Sequence, residues 1–449
     1  MSPSNRLLGG GALARGRGGR GARRRGDRRV LLIVTVGLGL ALTVRGRGGR
    51  AETIDATSTT LVTGRQDPRD GVVHTTIPVY ELVSVRASDF HLRGVDDLNV
   101  LVSGWGALSL SDPIDGRRGL GDLDLAFAEA KVLRRRVALR LGRQLLMAGA
   151  GRNLAFDGLG VTVMPVRWAG LSAQAGVPVT PRFAVDRGDT LVAGRAFVKP
   201  SFDTEAGLSF LQVMDDSQVA RRDVALDARV ARVRSLPLAL SGFALVSLPE
   251  RRLAEGNLTA TWQLGRLFEV SGDYRRTAPD LFLPRNSIFS VFSQESRDEA
   301  GAYFYWKLIP RLRLQGDYHV VVDATGTGQD GSLKATATLG ADGRHTVGLE
   351  SRKLALPQTG FTLGRAFALL RVTPRLWGTA DASAFFFDAD VNGQRQSFVG
   401  AATLAYDFRP EWRALVTGIG SVTPFAERRF EGMAKIVYGL TAKVRQVKP

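Results

Sequence analysis

The chain has 449 residues, of which 44% are hydrophobic, and this composition excludes a disordered polymer. It has no cysteine, which excludes disulfides and thiolate metal sites. Its net charge of +18 is concentrated in residues 1–50, which hold twelve arginines and a single acid, Asp27. The remainder is only mildly basic, so nucleic acid is not predicted as a partner.

The first segment in chain order is predicted to be a targeting segment that is not part of the fold. Residues 1–29 are rich in glycine and arginine, and an apolar run follows at 30–44. That run is shorter than the ~20 residues of a membrane-spanning helix, so a charged region and a short apolar region predict a signal peptide over 1–51. A membrane anchor or an over-extended gene start is the alternative. Arg28 and Arg29 also resemble a twin-arginine signal, but that route carries folded cargo.

A lead-in at 52–72, with a possible first strand at 58–65, precedes a body at 73–449 in which apolar and polar residues alternate. Residues 299–308 show the pattern well, because Ala300, Ala302, Phe304, Trp306 and Leu308 share one face. Period-two alternation predicts strands with one apolar face. The predicted strands are 58–65, 73–86, 97–110, 121–133, 136–144, 153–165, 168–178, 190–199, 204–213, 222–234, 236–248, 256–264, 266–275, 297–308, 311–322, 331–340, 344–353, 360–372, 375–386, 395–408, 411–421 and 428–444.

Three features favour a membrane barrel over a soluble sandwich, which would also alternate. The segments are longer than the ~5–6 residues typical of soluble strands. Short turns, such as 133–136, 264–266 and 409–411, alternate with longer polar connections near 145–152, 179–189, 213–221, 249–255, 276–296, 323–331, 353–360, 387–395 and 422–428. Aromatic residues gather near strand ends: Trp168, Phe268, Tyr274, Trp306, Trp377, Phe386, Phe408 and Trp412.

These features predict an all-β fold, a transmembrane up-and-down antiparallel β-barrel of about 18–22 strands. An open sheet in lipid would leave backbone groups unpaired, so the sheet must close. A barrel of 22 strands usually has a plugged lumen, yet no plug domain fits before residue 58. Either the strand count is lower, or loops narrow the pore.

Two short motifs carry a resemblance to a known family. Gly142-Arg143-Gln144 ends one predicted strand, and Phe156-Asp157-Gly158 opens the next after a loop. This pattern resembles alginate-export-type and related porin barrels over about 25 residues. The resemblance implies an outer-membrane channel and leaves its solute open.

Selectivity in a channel comes from lumen-facing side chains and from loops folded into the lumen. The predicted pore-lining residues are Arg136, Arg140, Asp227, Arg229, Glu299, Lys307, Arg313, Asp317, Glu350, Arg352, Asp381, Glu431 and Lys435. Opposed charge ladders across the pore are one interpretation, and charges merely solvated or paired in a wet lumen are the other.

The longest connection, 275–296, is the predicted constriction loop because it carries many apolar groups for an exposed loop. Its predicted constricting residues are Leu281, Phe282, Arg285, Phe289 and Phe292. The alternative is that this segment extends its neighbouring strands or packs on a partner.

No catalytic, cofactor-binding or metal site is predicted. Gly326 and Gly328 lead into no phosphate loop. Residues 388–393 match the first half of a calcium loop, but Val399 stands where the bidentate Glu belongs, so a polar turn is the preferred interpretation. Asp317 and His319 share a strand face and are the nearest thing to a catalytic fragment.

The sequence therefore predicts a porin-like channel in a bacterial outer membrane for passive diffusion of small polar or charged solutes. Its predicted partners are outer-membrane lipids, the barrel assembly machinery and the solutes. An outer-membrane barrel enzyme of lipase or protease type and a closed structural or adhesion barrel are the competing hypotheses. The transported solute and the oligomeric state stay open.

Overall fold

The structure is a computed structural model that describes residues 53–443, except 70–71, 91, 93, 112, 114–116, 180–188, 232, 234–235, 280–295, 341–342 and 358. The predicted signal segment 1–51 lies outside the described residues. The strands are β1 Thr53–Arg69, β2 Val72–Thr76, β3 Pro78–Ser88, β4 Asp97–Ser109, β5 Gly119–Val132, β6 Val137–Leu145, β7 Ala155–Val166, β8 Ala169–Pro178, β9 Thr190–Ser201, β10 Thr204–Asp215, β11 Gln218–Val230, β12 Leu238–Ser247, β13 Arg252–Leu264, β14 Phe268–Thr277, β15 Arg297–Ile309, β16 Leu312–Asp323, β17 Gly326–Leu339, β18 His345–Ala355, β19 Gly360–Arg371, β20 Leu376–Val391, β21 Gln394–Arg409, β22 Trp412–Thr423 and β23 Ala426–Lys443. A short 3₁₀ helix, Gly149–Gly151, lies between β6 and β7.

The sheet closes into a 22-stranded barrel. Strand β1 pairs with β3 along one edge and with β23 along the other, from Thr53↔Lys443 to Arg65↔Glu431. Strand β2 continues β3 beyond a break at Ile77 and pairs with the second half of β1, so β2 and β3 act as one strand of the barrel. The predicted all-β, up-and-down antiparallel barrel is confirmed, at the upper end of the predicted strand number.

Two faces alternate along the strands. One face carries large apolar side chains that stay exposed, among them Leu141 at 65%, Leu349 at 66% and Val416 at 62%. The other face carries charged side chains that pair across neighbouring strands, as Arg140 does with Glu129. The connection at 146–154 packs against this second face, so the polar face encloses the lumen and the apolar face is the outer wall.

The connections correct one sequence prediction. Polar stretches near 213–221, 323–331, 387–395 and 422–428 were expected to be long loops, but the strands continue through them to two-residue turns. The turn at 392–393 has φ of 50° for Asn392 and 79° for Gly393, the left-handed backbone that tight hairpins require. Only the part of a strand that contacts an apolar environment needs an apolar face. The polar sequence of these strand ends therefore did not indicate that they continue as hydrogen-bonded strands.

The barrel has two rims with different connections. The short-turn rim holds the turns after the odd-numbered strands from β5 to β21. The start of β1 and the end of β23 also lie there. The loop rim holds the ends of the strands that the longer connections β4–β5, β6–β7 and β8–β9 join, and of these connections only 146–154 is described in full. The constriction residues predicted at 281–292 lie outside the described residues, and their role stays a prediction.

Aromatic side chains lie on the outer wall near the strand ends. Trp168, Trp306 and Trp412 are 57%, 41% and 43% exposed beside the short-turn rim. Trp377 departs from the expected girdle, because its register places it on the lumen face, where the guanidinium of Arg413 lies 5.7 Å from its ring.

No helix in the described part of the chain is long and apolar enough to cross a membrane.

Candidate functional site in the barrel lumen

One connection of the loop rim folds into the barrel. This infolded loop, residues 146–154, is closed by two backbone hydrogen bonds between Leu146 and its far end, Leu146 N to Leu154 O and Asn153 N to Leu146 O, each 2.9 Å. Left-handed backbone at Gly149 (φ 71°) and Asn153 (φ 68°) lets the loop reverse direction within a few residues. The lumen is therefore narrowed from one side by a short, compact segment.

The infolded loop packs against the inner wall of the barrel with buried side chains. Leu146 and Ala150 are 5% and 2% exposed, and Phe156, where β7 begins, is fully buried. They form one apolar cluster with lumen-facing residues of β9 to β13: Leu191, Ala193, Leu211, Ala225, Phe243, Leu245 and Ala254. Burial of this kind fixes the loop in one position, because each buried side chain loses contacts if the loop lifts away.

Polar contacts hold the tip of the infolded loop to the wall. The Ala150 N–H donates to Ser209 Oγ at 2.8 Å, and Ser209 Oγ donates to the Ala225 carbonyl at 3.2 Å. The Ala150 carbonyl accepts from Arg221 Nη2 at 3.2 Å. Both backbone groups of Ala150 are therefore satisfied by the barrel wall, which a buried loop requires.

Arg152 is the charged anchor of the loop. Its guanidinium forms an ion pair with Glu255 on β13, and it lies 3.7 Å from the centroid of the Phe243 ring. A guanidinium can stack on an aromatic face while its N–H groups bind a carboxylate. Arg152 thus joins the loop to two strands at once.

The two motifs behind the family resemblance lie at the base of the infolded loop. Gln144, 3% exposed, donates from Nε2 to the Gly158 carbonyl at 3.1 Å. Arg143 binds Asp157 with two N–H groups, each 2.9 Å from a carboxylate oxygen. These residues clamp the ends of β6 and β7 together, so the motifs position the loop.

The predicted pore-lining residues have a common placement. All of them except Arg136 lie within strands, and their registers put them on the lumen face: Arg140, Asp227, Arg229, Glu299, Lys307, Arg313, Asp317, Glu350, Arg352, Asp381, Glu431 and Lys435. Arg136 lies in the exposed turn after β5. Their role in lining a conducting pore stays a prediction.

Most of these charges are paired with a neighbour. Arg140 pairs with Glu129, Asp227 with Arg195, Arg352 with Asp330, Glu431 with Arg429, and both Glu350 and Asp381 with Arg365. Within the described residues, no carboxylate lies in ion-pair distance of Arg229, Lys307, Arg313 or Lys435. The lumen therefore combines neutralised pairs with a few uncompensated cations, two of which, Lys307 and Arg313, are register partners.

Sequence reasoning missed the partners that complete these pairs. Arg195, Glu129 and Arg365 lie at lumen positions of strands whose alternation was visible, so the parity of each strand could have identified them. Which carboxylate each arginine meets could not be read from the chain, because the pairs of Arg140 with Glu129 and of Arg195 with Asp227 join residues that are 11 and 32 positions apart.

His319 and Asp317 do not form a nucleophilic site with the serine beside them. His319 Nε2 lies 3.0 Å from Asp273 Oδ1, and its Nδ1 lies 3.8 Å from Asp317 Oδ2. The Ser332 hydroxyl donates to Asp317 and not to the imidazole. A serine nucleophile needs the imidazole within hydrogen-bond reach, and this one hydrogen-bonds to a carboxylate instead.

The half calcium loop at 388–393 has a different role. Lys353 Nζ lies 2.5 Å from Asp388 Oδ1, so this carboxylate is held by a cation of β18. The described residues contain no group of three or more His, Asp or Glu side chains arranged to hold a metal ion.

A 250 Å³ chamber lies between the infolded loop and the lumen face of β5 to β10. Charged residues Glu129, Arg140 and Arg195 and neutral polar residues Gln144, Thr162, Ser172, Gln174 and Ser209 line it. Small residues, among them Ala138, Gly160 and Ala193, open the space that larger side chains would fill. The chamber is only partly enclosed and its wall is the lumen face of the barrel, so a solute in the lumen can reach it.

Comparisons with known proteins give only distant likenesses. No family model matches, and no curated protein matches. Solved structures that are similar include OccAB4 of Acinetobacter baumannii (10% identity, 89% of this chain and 100% of that chain, TM-score 0.45) and the translocation pore of the P pilus usher PapC (8%, 87% and 100%, 0.47). OpdK of Pseudomonas aeruginosa, solved with vanillate, has 13% identity, covering 87% and 98% of the two chains, at a TM-score of 0.41. Identities and scores this low do not support an argument about function.

Proposed function

We propose that this chain is a porin-like channel of a bacterial outer membrane that lets small polar or charged solutes diffuse passively. The observation that carries the proposal is the combination of a closed barrel, an exposed apolar outer wall and a charged lumen. Each feature has its own physical reason, and only a membrane pore requires all three.

The outer wall supports the membrane location. Large apolar side chains are exposed on the outer face of strand after strand, whereas monomeric soluble proteins rarely expose contiguous apolar patches larger than a few hundred Å². A closed sheet leaves no unpaired edge, so it can sit in hydrocarbon without unsatisfied backbone groups. Outer-membrane lipids and the barrel assembly machinery are accordingly the proposed partners.

The lumen supports the channel. Its charged side chains remain partly exposed, as Arg352 and Arg365 do at 41% and 37% of their side-chain surface, which requires solvent beside them. A closed structural barrel would be expected to fill its interior with apolar packing, but the described lumen has such packing only along the infolded loop. The arrangement suits passage of hydrated solutes.

An enzymatic role has less support. The Ser332 hydroxyl donates to Asp317 and not to His319, and none of the described residues forms a nucleophile–imidazole pair in the lumen. The resemblance to alginate-export-type porins remains a prediction, and it specifies no solute.

Conductance in planar bilayers tests the proposal. Purified, refolded protein is expected to give stable current steps in potassium chloride, because a wet lumen carries ions. Silence from protein that retains its barrel circular dichroism would overturn the channel. Ester or peptide hydrolysis by the same preparation would then favour the enzyme hypothesis.

A further inference from the structure

We propose that the chamber under the infolded loop is a binding subsite for neutral, polyhydroxylated solutes of monosaccharide size. This inference rests on the proposed channel function and specifies its solute class. The argument depends on which hydrogen-bonding groups in the chamber are already used and which are free.

The charged groups of the chamber are used. Arg140 Nε lies 2.9 Å from Glu129 Oε2. Arg195 lies 2.8 Å from Glu205 and also pairs with Asp227. Glu129 also pairs with Lys131, which in turn pairs with Asp97. Three cations thus face four carboxylates, so the chamber has no excess positive charge to attract an anion, and each cation is already bound.

Gln144 and Ser209 are already hydrogen-bonded, but three neutral groups of the chamber are free. Thr162, Ser172 and Gln174 lie side by side on the lumen face of β7 and β8, and all three are half-buried. None of their side chains makes a hydrogen bond to another described residue. They offer hydroxyl and amide donors and acceptors, which are the groups that bind hydroxyls without requiring charge.

The space beside these groups is small. The chamber volume of 250 Å³ lies below the ~300–1,000 Å³ of pockets that hold drug-sized ligands, so it suits a smaller solute. Gly160 contributes to this volume, because a Cβ there would lie 3.1 Å from Gln144 Oε1 and 3.5 Å from Gln174 Cγ. The infolded loop closes the opposite side with Leu146, Met147 and Ala148.

A neutral solute with several hydroxyls satisfies these conditions together. Its hydroxyls can both donate to and accept from Thr162, Ser172 and Gln174, and it leaves the surrounding ion pairs intact. A carboxylate would have to compete with Glu129, Glu205 or Asp227 for an arginine, and an ammonium would compete with an arginine for a carboxylate. The chamber therefore discriminates by charge in favour of the uncharged molecule.

Proteoliposome swelling with three solutes of one size tests this selectivity. Glucose, glucuronate and glucosamine share a ring and differ in charge. The full-length mature protein is expected to admit glucose faster than either charged analogue, and millimolar glucose is expected to reduce the potassium chloride current. The double variant Ser172→Ala, Gln174→Leu should reduce the preference for glucose about two- to fivefold, as expected for lost hydrogen bonds.

Matched variants on the opposite wall provide the control. Thr336→Val and Thr379→Val remove hydroxyls from the lumen faces of β17 and β20, outside the chamber. They should leave the glucose preference unchanged. In a second pair, Gln174→Glu should shift the preference toward glucosamine, whereas Gln315→Glu on β16 should not. This pair needs no loss of packing, so it remains informative if the double variant folds poorly.

The outcomes separate the two proposals. Current steps with equal swelling rates for glucose and both charged analogues, or chamber variants that behave like their controls, would overturn the subsite and leave the channel standing. Absence of both current and swelling from folded protein would overturn the channel, and the subsite with it.

Discussion

The two sides of the lumen are built on opposite principles. The loop-bearing wall, the lumen face of β6 to β13, packs against the infolded loop and holds an apolar cluster that contains the fully buried Phe156. The open wall, the lumen face of β14 to β23, holds charge pairs such as Arg365 with Asp381, with no comparable apolar cluster in the described part of the chain.

The two walls therefore control different properties of the lumen, its width on one side and its electrostatic field on the other. Packing holds the infolded loop and sets the width of the lumen on one side, whereas the ion pairs of the open wall set the field that a passing ion meets. A substitution in the loop-bearing wall should therefore change stability and pore size, and one in the open wall should change ion selectivity at little cost in stability.

The strongest test truncates Phe156, a fully buried member of the apolar cluster. Phe156→Ala should lower the free energy of unfolding by about 3–5 kcal/mol, because it leaves a cavity between the infolded loop and β9 to β12. Guanidinium unfolding in lipid vesicles measures the effect. Phe398→Ala, on the outer wall where the ring is 46% exposed, is the matched control and should cost less. Equal losses would mean that the loop contributes no packing of its own.

A second test releases the tip of the loop. Arg152→Ala removes the ion pair to Glu255 and the stacking on Phe243, so the free energy of unfolding should fall by about 1–2 kcal/mol. The single-channel current should rise and become noisier, because the loop can move away from the wall. Arg297→Ala, which removes the partner of Glu299 on β15, is the control in the open wall. Identical current traces from the two variants would contradict the anchoring role of Arg152.

The smallest effect on stability is expected in the open wall. Arg365→Gln removes a cation that Glu350 and Asp381 share, and it should change the free energy of unfolding by less than about 1 kcal/mol because the pair is partly solvated. The reversal potential in a salt gradient should move toward cation selectivity, since two carboxylates are left uncompensated. An unchanged reversal potential would mean that permeating ions do not pass near this wall.

The strand pattern was predictable because one physical rule repeats along the chain. Residues 299–308 alternate strictly, and β15 has the predicted faces, with Phe304 and Trp306 outside and Tyr303 and Tyr305 in the lumen. The rule fails where the environment changes. The polar sequence around Asn392 continues as paired strand because backbone hydrogen bonds need no apolar face.

The lumen was less predictable. The infolded loop contains Gly149, Ala150 and Gly151, small residues that carry no hydrophobic signal, yet their size is what lets the backbone approach Ser209. Trp377 was expected in the girdle from its position near a turn. Nearness to a strand end does not decide which face of the sheet a ring lies on, because that depends on the alternation of side chains along the strand. Partners such as Arg195 and Asp227 meet only once the sheet is assembled.

The seam between β1 and β23 governs how this molecule can be made. The first and last strands of the barrel are direct neighbours over the whole stretch from Thr53↔Lys443 to Arg65↔Glu431, so no ribosome-bound or truncated chain can complete the cylinder. Until the final hairpin arrives, two long edges offer unpaired amides to any other strand nearby, which is a template for aggregation. Closure also joins residues at opposite ends of the polypeptide, the slowest kind of contact to form. A factor that shielded both edges until the β1–β23 ladder forms would therefore be expected to suppress this aggregation.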